Sequence, residues 1–306
     1  MTVPSHDARI YDTRICRLGE GPLWHPRRGQ LFWFDILGGR LLSRSPAGED
    51  LSWLFPEMVS AAGWVDDDRL LIASERALFV FDLETGNRTD LAALEADDPL
   101  TRSNDGRADP WGGFWIGTMA KTGAPGHGAI YRWYGGRLER LRGGMGIPNA
   151  ICFAPDRSAA WYADTSDAVI WRQPLDAAGW PEGAPQVFVD LRPEGIHPDG
   201  AVVDAEGCLW NARWGAGQVV RYSPEGKVID SIALPVAQTT CPAFGGTDLK
   251  SLYVTSAADG DTSPDAGLTW LVADMAVTGL PEPRVVLPRV ALSRVVLAQE
   301  MPEAGR

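Results

Sequence analysis

The chain has 306 residues, of which 45% are apolar, 13 are tryptophan and only 22% are charged, a composition that supports a large buried core and excludes a disordered or fibrous protein. Its 28 basic and 40 acidic side chains give a net charge of −12 with no Lys/Arg run, which argues against a nucleic-acid partner. No stretch approaches the roughly 18 consecutive apolar residues of a membrane span, so no membrane partner is expected.

The start, MTVPSHDARIYDTR, has no basic segment followed by an apolar core and a cleavage site. Cys16, Cys152, Cys208 and Cys241 are far apart and form no C-x-x-C pair, so buried, reduced thiols in a cytoplasmic protein are expected. Composition does not shift along the chain, and one domain spanning residues 1–306 is expected.

In chain order, the strand-like ARIYDTRICRL (8–18) comes first. GEGPLWHPRRGQLFWFD (19–35) follows, with a polar residue, a short strand, a Pro/Arg/Gly turn and a second strand centred on an aromatic. The plan recurs in SNDGRADPWGGFWIGT (103–118), IPNAICFAPDRSAAWYAD (147–164) and HPDGAVVDAEGCLWNAR (197–213). Weaker copies are VSAAGWVDDDRLLIAS (59–74) and TTCPAFGGTDLKSLYVTS (239–256). Third strands follow several of them, as in LFVFDLETGN (78–87), AIYRWYGGRLERL (129–141), VIWRQPLD (169–176) and QVVRYSPEGKVIDSI (218–232).

The second-strand anchors Trp33, Ile72, Trp115, Trp161, Trp210 and Tyr253 recur at about the length of one four-stranded propeller blade. Six copies predict an all-β fold, a six-bladed β-propeller of four-stranded antiparallel blades. Closure is expected from 8–18 joining the blade built by the C-terminal segment, with RVVLPRVALSRVVL (284–297) beside it.

First strands of a propeller line its channel, so polar residues opening them can converge. Glu20, Asn104, Asn149 and Asp199 lie eleven to thirteen residues before their anchors and read as one phase of the repeat, with Ser60 and Thr240/Cys241 in the weak copies. Two carboxylates and two amides facing one centre are costly to desolvate without a partner. A polar ligand or one divalent cation would supply it. The oxygen donors suit Ca²⁺, Mg²⁺ or Mn²⁺, and Zn²⁺ also accepts carboxylates.

The motifs LGEGPLW, RSNDGRAD followed by FWIGTM, GIPNAICFAPD, HPDGAVVDAEGCLW and CPAFGGTDLKSLYVTSA resemble, in order, those of the SMP-30/gluconolactonase/regucalcin-like family of six-bladed sugar lactonases. The resemblance implies a divalent metal held by Glu20, Asn149 and Asp199, with Asn104 and Arg102 binding substrate oxygens. It favours Asp199 as the general base as well as a ligand. Where some family members carry a substrate-contacting Glu after the GTM motif, this chain has Ala120-Lys121 and a Gly/Pro-rich loop, so Lys121 is a substrate-binding candidate or a solvated side chain.

The implied reaction is metal-dependent hydrolysis of a sugar lactone to the aldonic acid by a monomer or small homo-oligomer. The alternatives are a calcium-binding regulator using the same ring, or an arylesterase or organophosphate hydrolase on the same metal site. His197 before Pro198 and His25 in the first turn read as loop-packing residues. No G-x-S-x-G elbow or H-E-x-x-H helix is present.

Overall fold

The computed structural model describes residues 6–288, which form six four-stranded antiparallel sheets. Blade 1 runs through Gly19–His25, Gln30–Asp35, Arg40–Arg44 and Asp50–Leu54. Blade 2 has Val59–Trp64, Arg69–Ser74, Ala77–Asp82 and Arg88–Ala93; blade 3 has Thr101–Ala108, Phe114–Ala120, Gly128–Tyr134 and Arg137–Met145. Blade 4 has Pro148–Phe153, Ala159–Asp164, Val169–Pro174 and Gln186–Asp190; blade 5 has His197–Val203, Leu209–Trp214, Gln218–Tyr222 and Val228–Ala233. Blade 6 has Thr239–Gly245, Ser251–Ser256 and Thr269–Val272, and Ala8–Asp12 completes it by pairing antiparallel with Thr269–Val272.

The first strands contact one another in a closed cycle, blade 1 to 2 through to blade 6 and back to blade 1, which makes them the inner ring. Every predicted anchor lies in a second strand. These strands are covered on both faces by neighbouring blades, so they read as continuous apolar runs such as Gln30–Asp35, buried throughout. Outer strands alternate, as in Asp50–Leu54, because one face meets solvent.

Among the described residues each of the six blade–blade interfaces holds its own apolar cluster. Trp33 and Tyr253 pack between blades 6 and 1, Trp115 between blades 3 and 4, and Trp210 against Phe244 and Leu252 between blades 5 and 6. All four cysteines are buried and free. The only helical element among the described residues is the 3₁₀ turn Arg192–Glu194, and none is long and apolar enough to cross a membrane.

The placing of 284–297 beside the closing strand is corrected. Its described part, 284–288, lies against blades 2 and 3: Val285 N–H donates to Trp64 O at 2.9 Å and Val286 N–H to Gly112 O at 2.9 Å. Val285 and Leu287 enter the cluster between those blades. Ala8–Asp12 fills the fourth-strand position of blade 6, and the described part of the segment pairs with no strand of that sheet. The rest of the segment, 289–297, lies outside the described residues.

The strap that results crosses the mouth where the inner strands end. It leaves blade 5 at the Asp204–Gly279 bridge and reaches blade 2, where Trp64 Nε1 donates to Glu282 O at 2.8 Å. Beneath it Glu282 pairs with Arg107, whose Nη2 also donates to Ala201 O at 3.0 Å and Nε to Ile151 O at 3.2 Å. One guanidinium thus ties blades 3, 4 and 5 to the strap.

Candidate active site

The inner strands share a local irregularity that aims their polar residues. In all six blades the pairing of first and second strand breaks near the start of the first, after Glu20, Val59, Ser103, Asn149, Pro198 and Thr239. Extra residues at such a bulge lose ladder partners and turn their side chains away from the sheet faces. Gly21 and Ala150, which follow Glu20 and Asn149, both take left-handed backbone, φ 54° and 55°. At Gly21 a Cβ would lie 2.3 Å from Ser60 O, so glycine is demanded by both φ and space.

The register corrects the assignment of one shared phase. Glu20 and Asn149 are the last paired residues before the bulge, opposite Phe34 and Ala163, whereas Asn104 and Asp199 are the first unpaired residues within it. Counting from the anchors blurs this one-residue offset because the turns differ in length. All four residues are nonetheless buried, with 5%, 6%, 2% and 5% exposure for Glu20, Asn104, Asn149 and Asp199.

Hydrogen bonds join the amides and fix their orientation. Asn104 Nδ2 donates to Pro148 O at 3.0 Å and to Asn149 Oδ1 at 3.1 Å, while Asn104 Oδ1 accepts from Arg102 Nη1 at 2.8 Å. Asn149 Nδ2 donates to Thr165 Oγ1 at 2.8 Å, and that hydroxyl donates to Pro198 O at 2.7 Å, next to Asp199. The backbone carbonyls only accept and the guanidinium only donates, so the polarity of the whole chain is set from its ends. Asn149 must turn its NH₂ to Thr165 and its oxygen toward Asn104.

Gly21 N–H donates to Glu20 Oε2 at 2.9 Å. Burial pushes the Glu20 carboxyl up, and the nearby Asp105 charge adds to it, against Gly21 N–H and Arg102. Burial likewise raises Asp199, followed by the charges of Glu20 and Asp105. Burial lowers Arg102 to about 10, opposed by the carboxylates of Glu20, Asp199 and Glu75.

Two buried acids, both raised by burial and by the Asp105 charge, beside an amide oxygen of fixed direction, suit a hard divalent cation, which would offset the cost of burying their charges. Among the described residues no group of three or more His, Cys, Asp or Glu side chains is arranged to hold a metal. The donor set here is mixed, two carboxylates and an amide.

Arg102 is buried and its Nη1 also donates to Ser103 O at 2.9 Å. Lys121 stands at the end of the second strand of blade 3, where its ammonium pairs with Glu75 at the equivalent place in blade 2. His197 is exposed and bonded through Nδ1 to Thr165 O at 3.1 Å. His25 is buried against Asp66 O, and burial lowers its pKa. A cavity of about 580 Å³ beside the strap, lined by Trp111, Phe153 and Arg107, contains none of the ring residues.

Residues 18–258 match the SMP-30/gluconolactonase/LRE-like region. The chain belongs to that family. It is 36% identical over 251 residues to the 6-deoxy-6-sulfogluconolactonase of Pseudomonas putida, covering 81% of this chain and 86% of that protein. It is 36% identical over 284 residues to the pentonolactonase of Haloferax volcanii, covering 90% and 96%. A crystal structure of a calcium-binding protein, regucalcin, from Agrobacterium tumefaciens matches with a TM-score of 0.89 at 42% identity, over 94% of this chain and 100% of that one.

Counting along the repeat does not reach two further residues. Asp105 is buried one position after Asn104, with Oδ2 accepting from Ile151 N–H at 2.7 Å. Its position in the bulge is the one filled by Gly200 in blade 5 and Cys241 in blade 6. Cys241 packs against Gly200, where a Cβ would lie 2.4 Å from its sulfur, which accounts for the glycine after Asp199. Glu75 is the second, and only the pairing of strand ends brings it to this mouth. The signal for Asp105 in the sequence is the doubled polarity of SNDG (103–106), two successive polar residues where the other strong copies have one.

Proposed function

We propose that the chain hydrolyses a sugar lactone to the aldonic acid at the mouth that holds Glu20, Asn149 and Asp199, with one divalent cation held by those three residues. It is a carboxylic-ester hydrolase of the sugar-lactonase type. The observation that carries this reading is the polarity-fixed chain from Arg102 through Asn104 and Asn149 to Thr165, ending beside two carboxyls raised by burial in a member of this family.

A bound cation would supply polarisation of the lactone carbonyl and stabilisation of the oxyanion. The chain's own residues do the rest. Asp199 takes the proton of the attacking water at its carboxylate and returns it to the departing ring oxygen. Asn104 has spent its NH₂ on Pro148 O and Asn149 Oδ1, so its part is to hold Asn149 in place and offer its oxygen to a substrate hydroxyl. Among the described residues Arg102 spends only Nη1 on the protein, and its remaining donors are available to substrate oxygens and to the product carboxylate. Lys121 reaches the same substrate from the rim.

The test is hydrolysis of D-glucono-1,5-lactone followed by acid release. Asp199→Ala is expected to lower kcat by about 10³-fold or more while far-UV circular dichroism is unchanged; turnover at the normal rate would refute the site. A calcium-binding role is the second reading, favoured by the all-oxygen donors and by the Agrobacterium tumefaciens relative. It predicts cation binding with no turnover of any lactone.

A further inference from the structure

At the rim of the same mouth two side chains outside the ring form an ion pair. Glu75 follows the second strand of blade 2 and Lys121 the second strand of blade 3. Second strands run opposite to the inner strands, so both residues emerge where the inner strands begin: Ser74 lies opposite Val59 and Ala120 opposite Thr101. Their backbones are held, Glu75 N–H donating to Met58 O at 3.0 Å and Lys121 N–H to Leu100 O at 2.8 Å. The Lys121 ammonium pairs with Glu75 Oε2, with 29% and 11% of the two side chains exposed. Glu75 also acts on Arg102, whose guanidinium feels it together with Glu20 and Asp199. Arg102 therefore links the reacting centre to the rim pair.

We infer that Glu75 and Lys121 together form a charge filter that selects lactones bearing hydroxyls, and no anionic group, on the part remote from the ester. This rests on the lactonase reading above. A hydroxyl donates one hydrogen bond and accepts others, so it fits between a carboxylate that only accepts and an ammonium that only donates. A carboxylate, sulfonate or phosphate only accepts. It would have to take Lys121 from Glu75 while facing the Glu75 charge, and in a half-buried setting that repulsion is weakly screened. Glu75 is thus a specificity-determining residue, and Lys121 is the donor whose charge it neutralises. With Glu75 absent, Lys121 would present an unpaired cation at the rim, a site for an anionic tail.

The experiment compares D-glucono-1,5-lactone with its 6-phosphate, generated in situ, for the wild type, Glu75→Gln and Lys121→Met. In Glu75→Gln the ratio of kcat/KM for the phosphorylated over the neutral lactone is expected to rise about tenfold or more, mostly through KM. In Lys121→Met it is expected to fall and KM for the neutral lactone to rise, since Glu75 is left unopposed. A purely structural role would lower both substrates alike and leave the ratio unmoved. Wild-type turnover with an unchanged ratio in both variants overturns the filter alone. A wild type that hydrolyses neither lactone overturns the lactonase reading and the filter with it. Should Glu75→Gln fail to fold, the Lys121→Met ratio decides.

Discussion

At the scale of single residues, the site depends on groups that orient others. The Thr165 hydroxyl, itself no oxygen ligand of the proposed set, receives Asn149 Nδ2 and passes the bond to Pro198 O. Thr165→Val keeps the shape and removes both bonds, freeing the Asn149 amide to rotate. Cation affinity is expected to fall about 10–100-fold, the usual cost of losing an outer-shell partner. Titration calorimetry with Ca²⁺ or Mn²⁺ would measure it, and unchanged affinity would show that Thr165 does not orient the ligand. Glu20, Asn104, Asn149 and Asp199 were legible in the sequence because each opens a strand at nearly constant distance from an aromatic anchor. Glu75 and Lys121 were not legible as a pair, because nothing in linear spacing says which strand ends of neighbouring blades meet.

Among elements, the repeated bulge is the device that turns a sheet into a site. Sequence periodicity conveyed the strands and their order but not the bulge, since an extra residue with ordinary side chains leaves no alternation to read over so short a stretch. It left the phase of the four ring residues wrong by one. Gly21→Ala tests the bulge directly. With φ at 54° and Ser60 O only 2.3 Å from the new Cβ, destabilisation of about 2 kcal/mol or more is expected, read from the urea midpoint. The segment 284–288 was misplaced because its partners are remote in the chain: Val285 and Leu287 pack into the cluster between blades 2 and 3, while Ala8–Asp12 fills the fourth-strand position of blade 6. Its anchor at the far mouth is the Arg107–Glu282 pair, with only 11% and 6% of the two side chains exposed. Removing one partner, as in Glu282→Gln, leaves a buried guanidinium uncompensated and is expected to cost about 3–5 kcal/mol. The double variant Arg107→Met/Glu282→Leu is expected to cost less, a sign of coupling that equilibrium unfolding would detect.

Over the whole molecule, closure of blade 6 by Ala8–Asp12 joins the two ends of the ring. We propose that the chain is one domain and unfolds as one unit. Calorimetry is expected to show a single transition, and deletion through Asp12 to lower its midpoint sharply; two separable transitions would contradict this. Stability should also fall in alkali. Burial, with the Asp35 charge adding, raises the Cys16 thiol to about 12. An unfolded thiol ionises near pH 8.5, so above that pH the unfolded chain sheds a proton that the folded chain keeps. From about pH 8.5 up to the folded value, this one group removes about 1.4 kcal/mol per pH unit. Urea midpoints at pH 8 and pH 10 should converge in Cys16→Ala relative to the wild type, and equal alkaline losses in both proteins would count against it.

The central claim is that the proposed cation, held by Glu20, Asn149 and Asp199, and the reaction share one place. Acid release from D-glucono-1,5-lactone should be followed in protein stripped with a chelator and then restored with a divalent cation, alongside Asp199→Ala. The expected result is loss of turnover on stripping, recovery at one equivalent of cation, and neither tight binding nor recovery in Asp199→Ala. Full turnover by the stripped protein, or by Asp199→Ala, would contradict it.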